Sequence, residues 1–358
     1  MGTRDGILQR FTGAAGGAPV FLPDLSLWYD WHRKRGTLPE KWRRLSMEQI
    51  AREMGLGVWA VVTPWRVTTP RVSVTRDERD GERTVRVEAS SGTLVARWIL
   101  GPDGDWWQTE YPVKTQDDLA PALEWIAARE YVVDAAVAEV PAGVSGEDRI
   151  VGLAIPRRPY AELLNDLLGW SDGLVLLAEP EIGEILEVLD AKLQAVVPEI
   201  AALPGDVVYS PDNLDGQFVS PRAFARYFAG SYQRSVDALA ASGKPLVVHA
   251  GGPIARLLKP LADAGVAGAE GVCGPPQGDT PLVEARQAAG SNFTLWGGIP
   301  QDMLLGSYPV ERFREAAREA VEYASGDPRV ILGVADKVPP ESDPERLTWL
   351  AAAVADSV

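Results

Sequence analysis

The stretch Gly243-Lys244-Pro245-Leu246-Val247-Val248-His249-Ala250-Gly251-Gly252 decides the fold class. Its short apolar run predicts a buried strand, and the amphipathic segment 253–264 that follows predicts a helix. Similar apolar runs recur along the chain at residues 19–22, 58–62, 150–155, 206–209, 266–272, 293–296 and 330–334. Further amphipathic helices are predicted at 221–242, 281–289 and 309–325. Because strands that alternate with helices pair in parallel, we expect an α/β protein with a buried parallel sheet.

The number of strand candidates favours one α/β architecture in particular. Eight candidates over this length suit a (β/α)₈ TIM barrel that takes up residues 1–358 as a single domain. A doubly wound open sheet is the alternative fold. In a barrel of this kind, the functional side chains lie at the carboxyl ends of the strands.

Residues 67–113 break the strand–helix pattern. Apolar and polar residues alternate there, and Asp80-Gly81 is a strong signal for a hairpin turn. The segment therefore predicts a small antiparallel β meander inserted in the N-terminal half. We expect Trp106-Trp107, at its end, to cover an edge of the core.

The composition excludes several functional classes. The 358 residues include 50 acidic and 35 basic ones, a formal charge of −15, which argues against binding to nucleic acid. A single Cys rules out disulfide scaffolds and zinc sites built from paired cysteines. No apolar stretch approaches the roughly 18 residues of a membrane helix, and residues 1–6 lack the apolar core of a signal peptide. We therefore expect a cytoplasmic protein that does not bind a membrane.

Four reactive side chains follow predicted strands in one contiguous half of the chain. They are His249, Glu270, Cys273 and Asp336. Imidazole, thiolate and carboxylate groups can together hold zinc or a similar divalent ion, and the same groups can carry out acid–base chemistry without a metal. Each also has a purely structural alternative: a His bonded to a backbone carbonyl, a buried salt-bridge carboxylate, an inert buried thiol, and a loop or helix-capping Asp.

A second set of residues is expected to bind and orient a substrate at the same end of the barrel. Its members lie in or after the predicted strands at 19–22, 206–209 and 293–296: Asp24, Trp28, Tyr209, Asn213, Asp215, Gln217 and Trp296. Asp212 is a candidate proton donor beside His249. Trp28 and Trp296 would form walls against the substrate, and for Trp28 the alternative is packing in the core together with Trp31 on one helix face.

These strand-end motifs resemble those of a known protein family. The matching stretches are 243–249, Glu270-Gly271, Trp296-Gly297-Gly298-Ile299, Ile331-Leu332-Gly333, and Asp215-Gly216-Gln217 followed by Ser220-Pro221. Together with the opening 23–29 and Gly36-Thr37-Leu38-Pro39, they span residues 18–340 and are similar to the uroporphyrinogen decarboxylase superfamily. The resemblance implies a (β/α)₈ barrel. The superfamily includes the haem-pathway decarboxylase, corrinoid-linked methyltransferases and the cobalamin-independent methionine synthase barrel.

The resemblance implies a zinc site that this sequence does not keep intact. The methyl-transfer members bind zinc through a His-x-Cys pair, often a Glu on the next strand, and a late Cys. His249 and Glu270 match the His and the Glu, but Gly251 replaces the Cys of the pair and no Cys lies near 334–336. Asp336 or Cys273 would have to complete a changed site, and the loss of thiolates would leave a harder ion. The Arg-rich opening of the decarboxylases is also missing, since residues 21–28 are acidic and aromatic, so a porphyrinogen is a poor candidate substrate.

Three functional hypotheses follow. The first is a metal-dependent methyltransferase or demethylase-type enzyme acting on a small molecule, with a divalent ion such as zinc and with a corrinoid on a separate partner protein. The second is a metal-free decarboxylase or related lyase, in which His249 or Asp212 protonates the substrate carbon. The third is a barrel that binds a ligand or a partner without catalysis. A homodimer is one expected assembly, although the sequence does not fix the oligomeric state.

Overall fold

The computed structural model describes residues 4–14, 18–102, 104–138, 149–170 and 172–357. They divide into two compact units. The parallel-sheet unit comprises the described residues of Met1–Thr63, Ala136–Ala154 and Ala201–Val358. The antiparallel unit comprises the described residues of Pro64–Ala135 and Ile155–Ile200.

A seven-stranded parallel sheet forms the centre of the parallel-sheet unit. In spatial order its strands are β1 (Val58–Val62), β8 (Arg149–Ala154), β9 (Val207–Leu214), β10 (Leu246–Ala250), β11 (Gly268–Val272), β12 (Thr294–Ile299) and β13 (Val330–Val334). Every neighbouring pair runs in parallel. The expected α/β class with a parallel sheet is therefore confirmed.

The first predicted strand, 19–22, is not a strand in the structure. Phe21 makes only an isolated parallel bridge to Leu332, beside which the Leu22 N–H donates to the Leu332 carbonyl at 2.7 Å. On the other side, the Gly57 N–H donates to the Phe21 carbonyl at 3.0 Å. Pro19 and Pro23 flank the segment and lack the N–H that a regular ladder needs. The structure thus shows a curled seven-stranded half-barrel, and a full (β/α)₈ barrel stays a prediction.

Helices connect the parallel strands. In this unit they are α1 (Arg4–Thr12), α2 (Ser26–Arg35), α3 (Met47–Glu53), α7 (Pro221–Tyr227), α8 (Ala229–Leu239), α9 (Ala255–Asp263), α10 (Leu282–Ala289), α11 (Val310–Gly326) and α12 (Pro344–Asp356), with short 3₁₀ turns at Glu40–Trp42 and Gln301–Leu304. The single helix predicted over 221–242 is instead two helices that meet at Phe228. The rings of Phe224, Phe228 and Tyr232 stack across the junction, so the apolar face continues although the helix does not.

Helix α1 lies at the amino ends of the strands. Arg4 pairs with Asp206, which immediately precedes β9, and the Thr294 hydroxyl at the start of β12 donates to the Arg10 carbonyl at 2.9 Å. Ile7 of this helix joins the main core cluster, which otherwise consists of side chains from the sheet and the 20–22 segment: Val20, Leu22, Trp59, Ile150, Val207, Tyr209, Val247, Trp296 and Ile331. Because α1 covers the amino ends, the carboxyl ends remain for a functional site.

The antiparallel unit contains two small sheets. Strands β3 (Ser73–Arg79), β4 (Glu82–Ala89), β5 (Gly92–Leu100) and β6 (Trp106–Glu110) pair in sequence order, and β2 (Trp65–Thr68) pairs with β7 (Glu130–Val133). Asp80 and Gly81 both have positive φ, 53° and 78°, as a two-residue type I′ hairpin requires. The predicted antiparallel meander is confirmed, but it spans 73–110 and not 67–113, because Val67 and Thr68 pair with β7.

The expected role of Trp106-Trp107 is wrong. Trp107 is 58% exposed, and the Arg83 guanidinium lies 3.9 Å from the centre of the Trp106 ring. Neighbouring side chains on a strand point to opposite faces, so the two rings cannot cover one edge together. The remaining elements of this unit are the helices α4 (Leu119–Ala128), α5 (Pro159–Glu162) and α6 (Pro180–Ala201), the wide turn Leu163–Leu168, and 3₁₀ turns at Gln116–Asp118 and Asp172–Ala178.

None of the helices within the described ranges combines the length and the apolar character that a crossing of the bilayer demands.

Candidate active site

Three adjacent strands place His249, Glu270 and Tyr209 in one hydrogen-bonded row. His249 on β10 is in register with Glu270 on β11, and His249 Nδ1 lies 2.6 Å from Glu270 Oε2. The Tyr209 hydroxyl, from β9 on the other side of β10, donates to the same carboxylate oxygen at 3.1 Å. The three side chains meet because the strands are parallel and end at one edge of the sheet.

The charge of Glu270 controls the protonation of His249. Burial by itself would lower the pKa of His249, but the Coulomb attraction of Glu270 and the hydrogen bond to it outweigh burial, and Asp336 adds to their effect. The pKa of His249 is therefore raised above its ordinary value. The side chain of Glu270 is only 4% exposed, so little solvent screens this attraction.

Tyr209 stays protonated in this setting. Burial raises its pKa well above the ordinary value, and the neighbouring Glu270 carboxylate raises it further. The phenol is consequently a hydrogen-bond donor to Glu270 and not a base. With donors from both Tyr209 and His249, Oε2 of Glu270 is fully used inside the protein.

The second nitrogen of His249 faces the more open side of the site. His249 Nε2 lies 3.9 Å from Asp336 Oδ1, and the Asp336 side chain is 45% exposed. Asp336 lies two residues after the end of β13 and has a positive φ of 61°, a conformation that is uncommon outside glycine and concentrates at functional sites. Asp24 is nearby, since its charge acts on both Tyr209 and Glu270.

Sequence reasoning missed Lys337, whose positive charge opposes the protonation of His249. Its position directly after Asp336 was the available signal. Lys337 is exposed, so it is placed to meet a negatively charged group that approaches His249 from solvent.

Asp212 is buried and engaged by hydroxyl groups. Its Oδ2 accepts from the Ser210 hydroxyl at 2.8 Å and from the Tyr232 hydroxyl of α8. These contacts tie the end of β9 to the following helix. These two hydrogen bonds give Asp212 a structural function, and its predicted catalytic function stays a prediction.

Asn213, Asp215 and the two glycines after His249 fit closely together. A β-carbon built on Gly251 would overlap the Asn213 carboxamide and lie 2.5 Å from its Cγ. A β-carbon on Gly252 would lie 2.5 Å from Asp215 Oδ2. Asn213 is exposed at the end of β9 and has a positive φ of 52°. The glycines therefore make room for Asn213 of β9 and for Asp215, which directly follows that strand. Gln217 is exposed farther along the loop.

The donor set does not match the thiolate-rich zinc site that the family resemblance implies. The space for a ligand on residue 251 is taken by Asn213. Cys273 is buried, and burial raises its pKa to about 12, so it is a neutral thiol and not a ligand-ready thiolate. Within the described ranges, no three His, Cys, Asp or Glu side chains converge as the ligands of an ion would. Oε2 of Glu270 already accepts hydrogen bonds from His249 and Tyr209.

The two tryptophans expected to be substrate walls pack in the core. Trp296 is 2% exposed, donates its indole N–H to the Leu22 carbonyl at 3.0 Å, and lies 4.6 Å from the Trp59 ring. Trp28 is equally buried and packs edge-on against Trp42. For Trp28, packing in the core is the alternative to a substrate wall that the sequence left open. Neither ring offers an exposed face to a ligand.

Comparison with known proteins places these observations in a family. The sequence profile described as "Uroporphyrinogen decarboxylase (URO-D)" matches residues 177–357. A uroporphyrinogen decarboxylase from Arthrobacter sp. (strain FB24) is 33% identical over 125 residues, a match that covers 35% of this chain and only 34% of that relative.

Two solved structures are similar to this chain. A methyltransferase from Methanosarcina mazei is 16% identical with a TM-score of 0.61, and the match covers 99% of both chains. A B12-independent methionine synthase from Shewanella sp. W3-18-1 is more distant, at 13% identity and a TM-score of 0.48, over 95% of this chain and 98% of that one. The first likeness supports a barrel-type α/β fold. Because the family profile matches more than half of its residues, the chain belongs to the uroporphyrinogen decarboxylase family.

Proposed function

We propose that this chain is a metal-free acid–base enzyme of the carboxy-lyase type, acting on a small non-porphyrin acid, with His249 as the proton donor. The observation that supports this most is the row Tyr209–Glu270–His249, in which a buried carboxylate orients and charges an imidazole whose Nε2 stays available. A positioned imidazole whose pKa is raised by a neighbouring carboxylate is well suited to donate a proton.

The proposed step balances without a co-reactant. The bond between the substrate carbon and its carboxylate breaks, the electron pair stays on the carbon, and carbon dioxide leaves. His249 then transfers the Nε2 proton to that carbon and is reprotonated from water. Glu270 stabilises the imidazolium by Coulomb attraction and by its hydrogen bond to Nδ1. Lys337 is placed to attract the carboxylate before it leaves.

The surroundings of His249 limit the substrate class. Glu270, Asp24 and Asp336 leave the inner part of the site acidic, and residues 21–28 contain no Arg. A molecule with many carboxylates would meet repulsion here. A substrate with a single carboxylate directed toward Lys337 fits the charge pattern better.

Carbon dioxide release from a panel of small monocarboxylic acids tests the proposal. We expect release that persists in chelator and falls at least about 100-fold in the His249→Gln variant. The matched control is His32→Gln, because His32 is the only other histidine and is held elsewhere by Thr37 and the Pro340 carbonyl. Loss of activity in chelator with recovery on adding zinc would contradict the proposal. Full biological activity of His249→Gln would instead favour a binding protein without catalysis.

A second candidate is methyl transfer, the activity named for the Methanosarcina mazei relative. One observation favours it: His249 Nε2 and Asp336 Oδ1 face each other at 3.9 Å, and nitrogen and oxygen donors suit a hard divalent ion. Such an ion needs further ligands that the described residues do not bring to this point. A corrinoid on a separate protein would then be the methyl carrier. Metal analysis of the purified protein, with a methylcobalamin transfer assay, separates this candidate from the first.

A further inference from the structure

We infer that the antiparallel unit carries a second small-molecule site, for a single aromatic ring that bears one hydroxyl or N–H donor. The site is a cavity of about 160 Å³ between the meander sheet and the elements that cover it. It is called the sheet cavity below. All its lining residues belong to the antiparallel unit, and the inference does not depend on the proposed function.

The floor of the sheet cavity follows from the period-two alternation of the strands. Val85 and Val87 of β4, and Leu94, Ala96 and Trp98 of β5, all line it. Val85 is in register with Ala96, and Val87 with Leu94, so these side chains share one face of the sheet. Ala96 is buried at the centre of that face, and its small side chain leaves the volume unfilled.

The cover of the sheet cavity is held in place by charge. Trp125 lies in the last turn of α4, and Arg129 directly follows the last residue of that helix. The Arg129 guanidinium lies 4.1 Å from the centre of the Trp125 ring and pairs with the buried Glu162. Since this pair fixes Arg129, its side chain is not free to collapse into the cavity. Pro112 and Leu167 complete the apolar part of the lining.

One polar group in the lining is suited to recognise a donor. Gln108 of β6 donates its amide N–H groups to the Asp166 and Glu110 carbonyls, at 3.3 and 3.4 Å. This arrangement leaves Oε1 as the acceptor, and none of the described residues donates to it. An acceptor beside an apolar cavity selects a ligand whose ring carries a single O–H or N–H group.

The volume of the sheet cavity limits the size of the ligand that it can hold. Apolar cavities of about 150 Å³ stay dry and take up molecules the size of benzene. The sheet cavity has this volume and adds two indole rings, which favour edge or offset contacts with an aromatic guest. Phenol combines the expected size with the expected donor and is therefore the probe of choice.

Titration of the full chain with phenol, followed by calorimetry and by the thermal unfolding midpoint, tests the inference. We expect saturable binding to the wild-type chain, and loss of that binding in Ala96→Leu, which fills the sheet cavity. The matched control is Ala89→Leu, on the same sheet but outside the lining, which should bind as the wild type does. Gln108→Leu should weaken phenol binding about 5–10-fold, the value of one hydrogen bond, and leave benzene binding unchanged.

Two outcomes would overturn the inference. One is the absence of saturable phenol binding to the wild-type chain. The other is undiminished binding to a folded Ala96→Leu variant. Should that variant fail to fold, the site of 4-bromophenol in a crystal of the wild-type chain decides, since bromine density beside Trp98 and Trp125 supports the inference and density only beside His249 refutes it. The His249→Gln variant should bind phenol normally, which separates this result from failure of the proposed reaction.

Discussion

The carboxamide of Asn213 occupies the volume that a β-carbon on residue 251 would need. Asn213 is the last residue but one of β9 and has a left-handed backbone conformation, which Asn tolerates better than most residues. Gly251 follows β10, and its N–H donates to the Leu214 carbonyl at 2.9 Å. Residue 251 must therefore be glycine as long as the Asn213 side chain occupies this volume.

The Gly251→Ala variant tests this dependence. Its methyl group should force the Asn213 side chain out of position and cost about 1–3 kcal/mol of unfolding free energy, as overpacking does. In an Asn213→Gly background, the same substitution should cost little. The double-mutant cycle, measured by urea unfolding, should give a coupling of about 1 kcal/mol or more. Additive effects of the two substitutions would contradict the packing relationship.

The pKa of His249 can be measured directly, because the chain has only two histidines. NMR titration should give a pKa for His249 above its ordinary value of about 6.5, since Glu270 attracts the imidazolium. Glu270→Gln should lower that pKa by removing the charge, and Tyr209→Phe should affect it less. The His32→Gln variant assigns the remaining signal to His249. A pKa that is unchanged by Glu270→Gln would refute the role of that carboxylate.

The pairing of His249 with Glu270 also predicts how the unfolding free energy depends on pH. Because the pKa of His249 is raised in the folded state, protonation stabilises that state, fully so below the unfolded pKa. The contribution is lost as pH rises through the folded pKa. The unfolding free energy of the wild type should therefore fall relative to that of His249→Gln over this interval, which urea unfolding at several pH values measures. A difference that stays constant with pH would exclude the linkage.

The sequence predicted which side chains lie near one another at the candidate site better than it predicted their contacts. Strands β1 and β13 have the predicted bounds, because short apolar runs between breaking residues define buried strands. His249, Glu270 and Asp336 meet because parallel strands end at one edge. The hydrogen bond from His249 Nδ1 to Glu270 Oε2 depends on side-chain rotamers and strand register, neither of which a one-dimensional pattern contains.

Two other differences between the sequence predictions and the structure also have physical causes. The 19–22 segment has the apolar character of a strand, but prolines at its ends limit it to isolated bridges. Trp28 and Trp296 looked suitable as walls because aromatic residues near a site often bind ligands. Their burial instead follows from neighbours distant in sequence, such as Trp42 and Leu22, which only the folded chain reveals.

The buried pair of Arg129 and Glu162 predicts a large effect in the antiparallel unit. Both side chains are about nine-tenths buried, and burial raises the pKa of Glu162 despite its partner. Arg129→Met should cost about 3–5 kcal/mol, since it leaves a buried carboxylate unpaired. The control is Lys259→Met, in the exposed pair with Asp263, which should change stability by about 0.5 kcal/mol or less. Equal effects of the two variants on urea unfolding would contradict the assigned burial.

The single cysteine predicts how slowly the native chain reacts with thiol reagents. Cys273 is 1% exposed, and burial raises its pKa to about 12, so the thiolate at neutral pH is about 10³-fold scarcer than for a free thiol. Labelling with iodoacetamide should be slower in the native state by at least that factor than in urea, and chelator should not change the rate. The control is Val175→Cys combined with Cys273→Ser, because Val175 is 75% exposed and its thiol should react quickly. If chelator accelerated labelling of Cys273 in the native chain, the thiol would be held by a metal and the metal-free site would be wrong.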